Sequence, residues 1–277
     1  MRSSILCLLL LAGPGLTAVC ATPPRTTALG PAALYAAAHP PKAKEYYYQL
    51  RIYHFKTDQQ LQILDNYLQA AFIPALHRAG IKTVGVFKPV EADTADGRLY
   101  VFIPFETIAR FLGLDDELEK DAAYNTAGAG YLQAPYNAPP YTRMESILLR
   151  AFKDMPQPAV PDLSAPKSER VYELRSYESP TEVYHKNKVH MFNEGGEVPL
   201  FKRLGFNAVF YSDVLSGSHM PNLMYMTTFN NKADRDQHWN VFNNDPVWKK
   251  LVSSPEYQHN VSKADITFLH PTDYSDF

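Results

Sequence analysis

Two well-separated segments of the chain alternate apolar and polar residues in the same way. They are YYQLRIY at Tyr47–Tyr53 and VYELRSY at Val171–Tyr177, and both carry Tyr, Leu, Arg and Tyr at matching positions. Alternation of this kind predicts β-strands, because successive side chains of a strand point to opposite faces of the sheet. The match therefore predicts an internal repeat, and the segments that follow decide how far it extends.

The elements predicted after each segment also repeat. Each strand leads into an amphipathic helix that ends at a glycine, Gly80 or Gly205, as a left-handed C-cap would end it. Two strands, a further helix and a closing strand come next. Pro74 and Arg78 of the first copy match Pro199 and Arg203 of the second. The strands and first helices are predicted at 46–55, 58–79, 81–88, 99–105 and 143–152, and again at 170–177, 181–204, 206–214, 223–229 and 262–270.

The order βαββαβ, found twice, predicts the fold class. It is typical of a ferredoxin-like domain, an α+β arrangement in which an antiparallel sheet carries its helices on one face. The other face of each sheet has to be buried, and two such sheets in one chain can bury these faces against each other. We therefore expect two tandem ferredoxin-like domains that pair their antiparallel sheets as a pseudo-dimeric α+β barrel.

Proline-rich stretches suggest where the domains begin and end. Residues 22–44 are rich in Ala and Pro and indicate a spacer, and residues 153–168 indicate a linker that ends just before the second copy of the repeat. The predicted organisation is a signal peptide at 1–21, the spacer at 22–44, a first ferredoxin-like domain at 45–152, the linker at 153–168 and a second domain at 169–277.

The N-terminus has the order of a cleavable secretory signal. Arg2 precedes the apolar run ILCLLLLAGPGL, and Val19 and Ala21 provide small residues for cleavage after Ala21. This predicts a secreted or periplasmic protein, of bacterial type. The alternative is a lipoprotein anchored through Cys20, which the branched Val19 disfavours. The apolar run is too short for a membrane span, and no later stretch is long enough.

Composition and motifs exclude several classes of function. The net charge is -2 and the sequence pI is about 6.5, without a run of Lys or Arg, so we expect no nucleic-acid partner. The chain has no P-loop, no GxGxxG, no GxSxG and no HExxH. We therefore expect no cofactor, and neither a nucleotide-binding protein nor a serine hydrolase.

The repeated strands place an arginine and a tyrosine on one face in each half. The apolar face is expected to meet the helices, and the polar face is expected to point inward between the two sheets. The apolar set is Tyr48, Leu50, Ile52, Tyr172 and Leu174. The set expected to point inward is Gln49, Arg51, Tyr53, Glu173, Arg175 and Tyr177.

Two interpretations of this polar set stay open. Arg51 and Arg175 could anchor an anionic ligand in a cavity between the sheets, with Tyr53 and Tyr177 as its walls, because a guanidinium suits carboxylate or phosphate. Alternatively, the arginines form structural ion pairs, with Glu173 and Glu145 as partners, and the tyrosines pack.

Two further candidates lie in the second half. We expect no metal site: His190, Glu194 and Glu197 are spaced to share one helix face, and an exposed polar face is favoured over the alternative of a divalent-metal site. His238 could border a pocket beside Trp239. In NNDPVWKKL, Asp245 and Pro246 predict a helix N-terminus, which would direct the following tryptophan inward.

The sequence resembles the NIPSNAP family, within the dimeric α+β barrel superfamily. The motifs that carry the resemblance are YELRSY, VPLFKRLGF and FNNDPVWKKL, all in the second half. The first half departs at residues 113–141, GLDDELEKDAAYNTAGAGYLQAPYNAPPY, which replace the Asp-Pro-x-Trp motif. The resemblance implies the barrel fold, and it implies little chemistry because the family has no settled reaction. The wider superfamily includes cofactor-free monooxygenases and haem-handling enzymes.

Three functions remain open at this point. The first is a module that binds a small molecule or a protein, and the alternative is a cofactor-independent, monooxygenase-like enzyme acting on an aromatic or anionic small molecule in the inter-sheet cavity. The third is a purely structural role. Two domains could complete one barrel within the chain, or pair again into a homo-oligomer.

Overall fold

The strands of the described residues form a single closed antiparallel barrel. The computed structural model describes residues 44–91, 93 and 95–277, so the predicted signal peptide and nearly all of the spacer lie outside the described residues. The strands are β1 (Tyr47–Phe55), β2 (Gly85–Pro89), β3 (Gly97–Phe105), β4 (Arg143–Ala151), β5 (Val171–Glu178), β6 (Asn207–Ser216), β7 (Asn222–Phe229) and β8 (Lys263–Pro271). Their order around the barrel is β1-β3-β2-β8-β5-β7-β6-β4.

The helices follow the strands in the predicted places. Thr57 and Asn231 cap helices by accepting a hydrogen bond from a backbone N–H three residues on, and Gly80 and Gly205 follow helices with φ of 86° and 76°. The helices are α1 (Asp58–Tyr67), α2 (Ile73–Arg78), α3 (Ile108–Leu112), α4 (Leu114–Glu119), α5 (Ala122–Ala127), α6 (Ala129–Leu132), α7 (Glu182–Phe192), α8 (Glu197–Arg203), α9 (Lys232–Asn244) and α10 (Pro246–Val252). A π-helical turn, Leu68–Phe72, joins α1 to α2, and a 3-10 turn, Pro255–Tyr257, follows α10.

Each half of the barrel is a ferredoxin-like sheet. The first half has the order β4-β1-β3-β2 and the second has the equivalent order β8-β5-β7-β6. The halves join at two antiparallel pairings, β2 with β8 and β4 with β6. The predicted fold class, an α+β chain with a pseudo-dimeric barrel, is therefore confirmed. The domain boundaries stay a prediction, because one continuous sheet passes through both halves.

The interior of the barrel is filled by apolar side chains from both halves. Phe102 of β3 stacks on Phe210 of β6, with ring centroids 4.8 Å apart and planes at 7°. Tyr48 packs against both of these rings, at 5.0 and 5.5 Å. The remaining interior residues include Leu50, Ile52, Ile147, Leu149, Tyr172, Leu174, Met226 and Leu269, all of them buried. The predicted cavity between the sheets is thus occupied by packed side chains.

The predicted orientation of the repeated strands is wrong. Tyr48, Leu50 and Ile52 face the barrel interior, whereas Tyr53 and Arg51 of the same strand face the helices. Both faces of each sheet are buried, so the alternation separates the two faces without telling which layer covers each one. The interior offers strand side chains from the opposite sheet, which are mostly apolar. The helices offer polar partners, and the polar face therefore turns toward them.

The second half has the same orientation as the first. Tyr172 and Leu174 belong to the cluster inside the barrel. Tyr177 packs against the helix-side cluster of the second half, which contains Phe192, Phe201 and Phe242.

Among the described residues, none of the helices is long and apolar enough to cross a bilayer.

A packed interior predicts a large effect for Phe210→Ala. Phe210 is fully buried, so we expect the free energy of unfolding to fall by about 3–5 kcal/mol, the cost of a buried Phe→Ala change. Urea unfolding followed by circular dichroism measures this loss. Leu112→Ala is the control, because Leu112 is 71% exposed and its loss should change stability by less than about 0.5 kcal/mol. Equal effects of the two substitutions would contradict a filled barrel.

Candidate functional site

A cavity of about 280 Å³ lies between the sheet and the helices of the second half. Its walls come from β5, β7 and the helices α7 to α10, and its lining includes Arg175, Tyr177, Lys188, Glu197, Trp239 and Trp248. A larger surface hollow of about 650 Å³ lies in the first half beside Gly80 and Arg110, and it is lined by none of the site residues predicted from the sequence. The smaller cavity is the candidate site because it brings several buried charges together.

Glu173 organises the charged wall of this cavity. Its side chain is fully buried on β5, directly behind the lining residues. Oε1 accepts hydrogen bonds from Nε of Arg175 and Nη2 of Arg235, both at 2.7 Å. Oε2 accepts from Nε of Arg235 and Nε1 of Trp239, both at 2.8 Å. One carboxylate thus fixes two guanidinium groups and an indole.

These contacts also fix the protonation state of the carboxyl group. Burial alone would raise the pKa of Glu173, but the hydrogen bond from Arg235 and the positive charges of Arg175 and Arg235 outweigh it. The pKa of Glu173 therefore lies below its usual range. Glu173 is ionised at neutral pH, and its charge is balanced within the protein.

Arg175 is held rigidly at the surface of the cavity. Its guanidinium carbon lies 3.7 Å from the centre of a Trp239 ring, a close cation–π contact. Nη1 donates to the hydroxyl of Tyr177 at 2.7 Å, and that hydroxyl is 2.9 Å from the hydroxyl of Tyr225. Complete burial raises the pKa of Tyr225 well above its ordinary value, so this phenol stays protonated. Arg175 is therefore pre-organised as a cation with little freedom to move.

A buried ion pair forms another wall. Nζ of Lys188 lies 2.9 Å from Oε2 of Glu197, and the two residues are 5% and 2% exposed. The break between α7 and α8 positions Glu197: Gly196 has a φ of 87°, so the chain turns and Glu197 begins α8 beside the end of α7. In the first half, the corresponding helix runs on through the π-helical turn Leu68–Phe72.

The charges around the cavity do not cancel. The three cations Arg175, Lys188 and Arg235 face the two carboxylates Glu173 and Glu197. Arg235 also contacts the exposed Asp236, but Lys232 pairs with that carboxylate at 2.7 Å. One positive charge is left over, which favours an anionic ligand.

The equivalent place in the first half is filled. Arg51 and Tyr53 pair with Val101 and Leu99 of β3, the same register in which Arg175 and Tyr177 pair with Tyr225 and Leu223 of β7. Tyr131 of α6 lies in this space, stacked on Tyr67 at 3.7 Å with its hydroxyl 3.5 Å from that of Tyr53. Tyr131 belongs to residues 113–141, where the first half departs from the repeat, so this departure closes the first-half counterpart of the cavity.

Arg51 also has different partners from Arg175. Its Nε donates to Oε1 of Gln49 at 2.9 Å, and Nη2 lies 3.6 Å from Oδ1 of the exposed Asp115. Glu145, expected as a partner of the arginines, is instead 2.7 Å from Nε2 of His54. Of the predicted ligand-binding set, the structure brings Arg175, Tyr177 and Glu173 together and leaves Arg51 and Tyr53 in the closed half.

The candidate metal ligands His190, Glu194 and Glu197 do not come together. Nδ1 of His190 lies 3.0 Å from the hydroxyl of Tyr257, Glu194 pairs with Lys153, and Glu197 points inward to its buried lysine. The three side chains would share a helix face only if α7 and α8 formed one continuous helix. The break at Gly196 separates the two helices. In the described part of the chain, no group of three His, Cys, Asp or Glu residues is arranged to hold a metal ion.

His238 lies on α9 but does not line the cavity. Its Nδ1 is 2.8 Å from the carbonyl oxygen of Asp234, and its ring packs against Phe206 and Phe229. Trp239, the next residue, carries the contact with Arg175. The first turn of α10 brings Trp248 inward against Phe242 at 4.4 Å, as the sequence predicted.

Sequence reasoning missed Lys188 and Arg235 as site residues. Comparison of the two halves contains a signal for Lys188: counted from the capping residues Thr57 and Thr181, it corresponds to the buried Leu64. A lysine at a position that is apolar in the other copy indicates a candidate site residue. Arg235 has no such signal, because its role depends on α9 crossing over Glu173.

Comparison with known proteins supports the resemblance seen in the sequence. Residues 172–276 match the family model for NIPSNAP. Among curated proteins, no sequence matches this chain. A NIPSNAP family protein from Agrobacterium tumefaciens strain C58 is 19% identical, with 39% of this chain and 97% of that chain covered and a TM-score of 0.34.

Two solved structures cover both halves of the barrel. A candidate monooxygenase from Lactobacillus acidophilus NCFM is 10% identical, covers 82% of this chain and 94% of its own, and has a TM-score of 0.51. A candidate monooxygenase from Fusobacterium nucleatum is also 10% identical, with coverage of 83% and 93% and a TM-score of 0.51. At this identity, the likeness shows a shared α+β barrel fold.

The Glu173 network predicts a large loss of stability for Glu173→Gln. The substitution leaves the buried guanidinium of Arg175 and the partly buried one of Arg235 without the Glu173 counter-charge, so we expect the free energy of unfolding to fall by about 3–5 kcal/mol. Chemical denaturation at neutral pH measures the change. Asp265→Asn is the control: it removes the carboxylate of an exposed ion pair with Lys263 and should leave the denaturation midpoint almost unchanged.

The pH dependence of unfolding provides a second measure of the same network. Because the pKa of Glu173 is lower in the folded protein than in the unfolded chain, where it is about 4.3, its stabilisation is complete above that pH. It is lost as the pH falls through the folded pKa. The wild-type protein should therefore lose stability on acidification below about pH 4 more steeply than Glu173→Gln. Parallel curves would contradict the role assigned to this carboxylate.

Proposed function

We propose that this protein binds a small organic anion in the cavity between β5 and the helices of its second half. This cavity lies within residues 172–276, the part that matches the NIPSNAP family model. The observation that carries the proposal is the pre-organised Arg175, whose guanidinium lines the cavity while Glu173, Trp239 and Tyr177 hold it in place. A fixed guanidinium can bind a carboxylate without a large loss of side-chain entropy.

The surplus charge supports an anion over a neutral ligand. The cations and carboxylates around the cavity differ by one positive charge, which a singly charged anion would balance. Tyr225, the phenol nearest to Tyr177, stays protonated and does not supply that negative charge. An anion bound beside Arg175 is therefore favoured electrostatically.

The walls support a ligand that is small and partly apolar. The volume of about 280 Å³ is near the lower end of the range for ligand pockets in proteins. Trp239, Phe242 and Trp248 contribute apolar ring surface on the side of α9 and α10. A compact carboxylate with a ring or short chain matches this combination of one cationic anchor and aromatic walls.

The alternative, a cofactor-independent monooxygenase-like enzyme, would use the same anchor. Such a reaction needs a proton acceptor beside the bound anion, and the titratable groups that line the cavity are Tyr177, Lys188, Glu197 and Tyr225. Glu197 is paired with Lys188, and Tyr225 stays protonated. The geometry therefore supports binding best. Oxygen consumption in the presence of a bound anion would favour the enzyme.

Secretion is a further part of the proposal. The N-terminal sequence supports it, because Arg2 is followed by an apolar run and then by small residues before position 22, the order of a cleavable signal peptide. Expression of the full chain in a bacterium should yield a periplasmic protein that begins at Thr22, measured by intact mass spectrometry of the periplasmic fraction. A full-length protein in the cytoplasm, or a lipid-modified Cys20, would contradict this proposal.

The two tryptophans make the binding site directly observable. The chain contains two, Trp239 and Trp248, and both line the cavity, so tryptophan fluorescence reports on this site alone. We expect phenylacetate to change the fluorescence saturably. Phenylacetamide, which has the same shape without the charge, should bind at least about tenfold more weakly, since a hydrogen-bonded charge is worth about 1.5–3 kcal/mol.

A matched pair of variants locates the effect. Asn243 is an exposed residue at the rim of the cavity, so Asn243→Phe should block entry without disturbing the core. Asn240→Phe is the control, because Asn240 is exposed on the same helix and does not line the cavity. Loss of the phenylacetate response in Asn243→Phe alone supports the site. Equal responses in both variants, or no wild-type response, would overturn it.

A further inference from the structure

Resting on the proposed anion site, we infer that the ligand is a small hydroxy acid, whose carboxylate binds Arg175 and whose hydroxyl donates a hydrogen bond to Glu197. Both residues line the same cavity of about 280 Å³, so a compact molecule can contact both. This inference names the class of ligand, and it depends on Glu197, which the anion site itself does not require.

The free oxygen of Glu197 carries the argument. Oε2 accepts the hydrogen bond from Lys188 at 2.9 Å, whereas Oε1 accepts none from any residue that the structure describes. The residue is only 2% exposed and lines the cavity, so the accessible part of its carboxylate faces that space. A carboxylate oxygen in a largely enclosed place is stabilised by donors, and the cavity is where a ligand can provide one.

The positions of the polar groups define what a ligand must present. Arg175 lies on the sheet side of the cavity, on β5, and Glu197 lies on the helix side, at the start of α8. Lys188 stands beside Glu197, with Nζ 5.9 Å from the Tyr177 ring and 6.0 Å from the Trp248 ring. A ligand that spans the cavity meets the cations Arg175 and Lys188 and the carboxylate of Glu197, so an anionic group together with a hydrogen-bond donor matches these side chains.

Charge distinguishes a hydroxy acid from an amino acid. An ammonium group would also donate to Glu197, but an amino acid is a zwitterion with no net charge. It would leave the surplus positive charge of the cavity unbalanced. A hydroxy acid carries one net negative charge and still offers a donor, so it matches both the charge and the acceptor.

The first half shows that the fold does not need this ion pair. The positions of Lys188 and Glu197 correspond to Leu64 and Phe72, counted from Thr57 and Pro74, and both are fully buried apolar residues. An apolar pair packs equally well at this place in the repeat, as is often true of buried ion pairs. The charged pair occurs in the half that has the cavity.

The test compares three probes that differ at one carbon atom: phenylacetate, mandelate with a hydroxyl there, and phenylglycine with an ammonium group. Tryptophan fluorescence titrations of the wild-type protein give each dissociation constant. We expect the better-bound enantiomer of mandelate to bind at least about tenfold more tightly than phenylacetate, the value of a hydrogen bond to a charged group. Phenylglycine should bind more weakly than mandelate.

A double variant assigns the preference to the ion pair. In Lys188→Leu/Glu197→Leu the ratio of phenylacetate to mandelate dissociation constants should fall to about one. Glu182→Leu/Lys186→Leu, which changes two exposed residues on α7, should keep the wild-type ratio. The comparison of probes on the wild-type protein needs no variant, so a double variant that fails to fold does not remove the test.

The outcomes separate this inference from the proposed function. Tighter binding of mandelate in the wild type, lost in the ion-pair variant, supports the hydroxy acid. Binding of phenylacetate with no preference for mandelate overturns this inference and leaves the anion site intact. A preference for mandelate that survives in the ion-pair variant has the same meaning. If none of the three probes binds, both the inference and the proposed function are overturned.

Discussion

The buried carboxylate of Glu173 is the interaction on which the second half depends. An ionised carboxylate without solvent is costly unless its oxygens are hydrogen-bonded, and here Arg175, Arg235 and Trp239 provide four hydrogen bonds. These partners come from β5 and α9, so the network fixes the helix against the sheet. It also leaves the Arg175 guanidinium rigid at the edge of a cavity. Stability and the candidate site thus arise from the same contacts.

The duplicated fold explains why the cavity beside the repeated strand is open in the second half and closed in the first. Both halves keep the arginine and tyrosine of the repeated strand, but the first half has Gln49 in place of Glu173 and Val101 in place of Tyr225. Its helical segment 113–141 places Tyr131 over the strand, where it stacks on Tyr67. The first half therefore completes the barrel and packs, while the second half keeps open space beside its buried charges. One copy of a duplicated domain can maintain the fold while the other keeps space for a candidate site.

The sequence predicted the secondary-structure elements better than it predicted what surrounds each side chain. The strands, the glycine-terminated helices and the pairing of two sheets were predictable, because alternation, capping and duplication are local or repeated features. The expected orientation of the polar face toward the space between the sheets was wrong, since alternation distinguishes two faces and gives no information on which layer covers each when both are buried. The candidate metal ligands His190, Glu194 and Glu197 do not share a face in the structure, because the helical spacing does not continue through the break at Gly196.

The sequence by itself determined the repeat and the barrel, and it singled out Arg175, Tyr177 and Glu173 as candidates, because each rests on the pattern of neighbouring residues in the chain. The tertiary structure decided which face of β5 these residues occupy and which partners they have. Lys188 reaches the cavity from α7, more than 45 residues before Arg235 of α9 and Trp248 of α10. Such convergence depends on how the helices pack across the sheet, and side-chain packing between distant elements leaves no periodic trace in the chain.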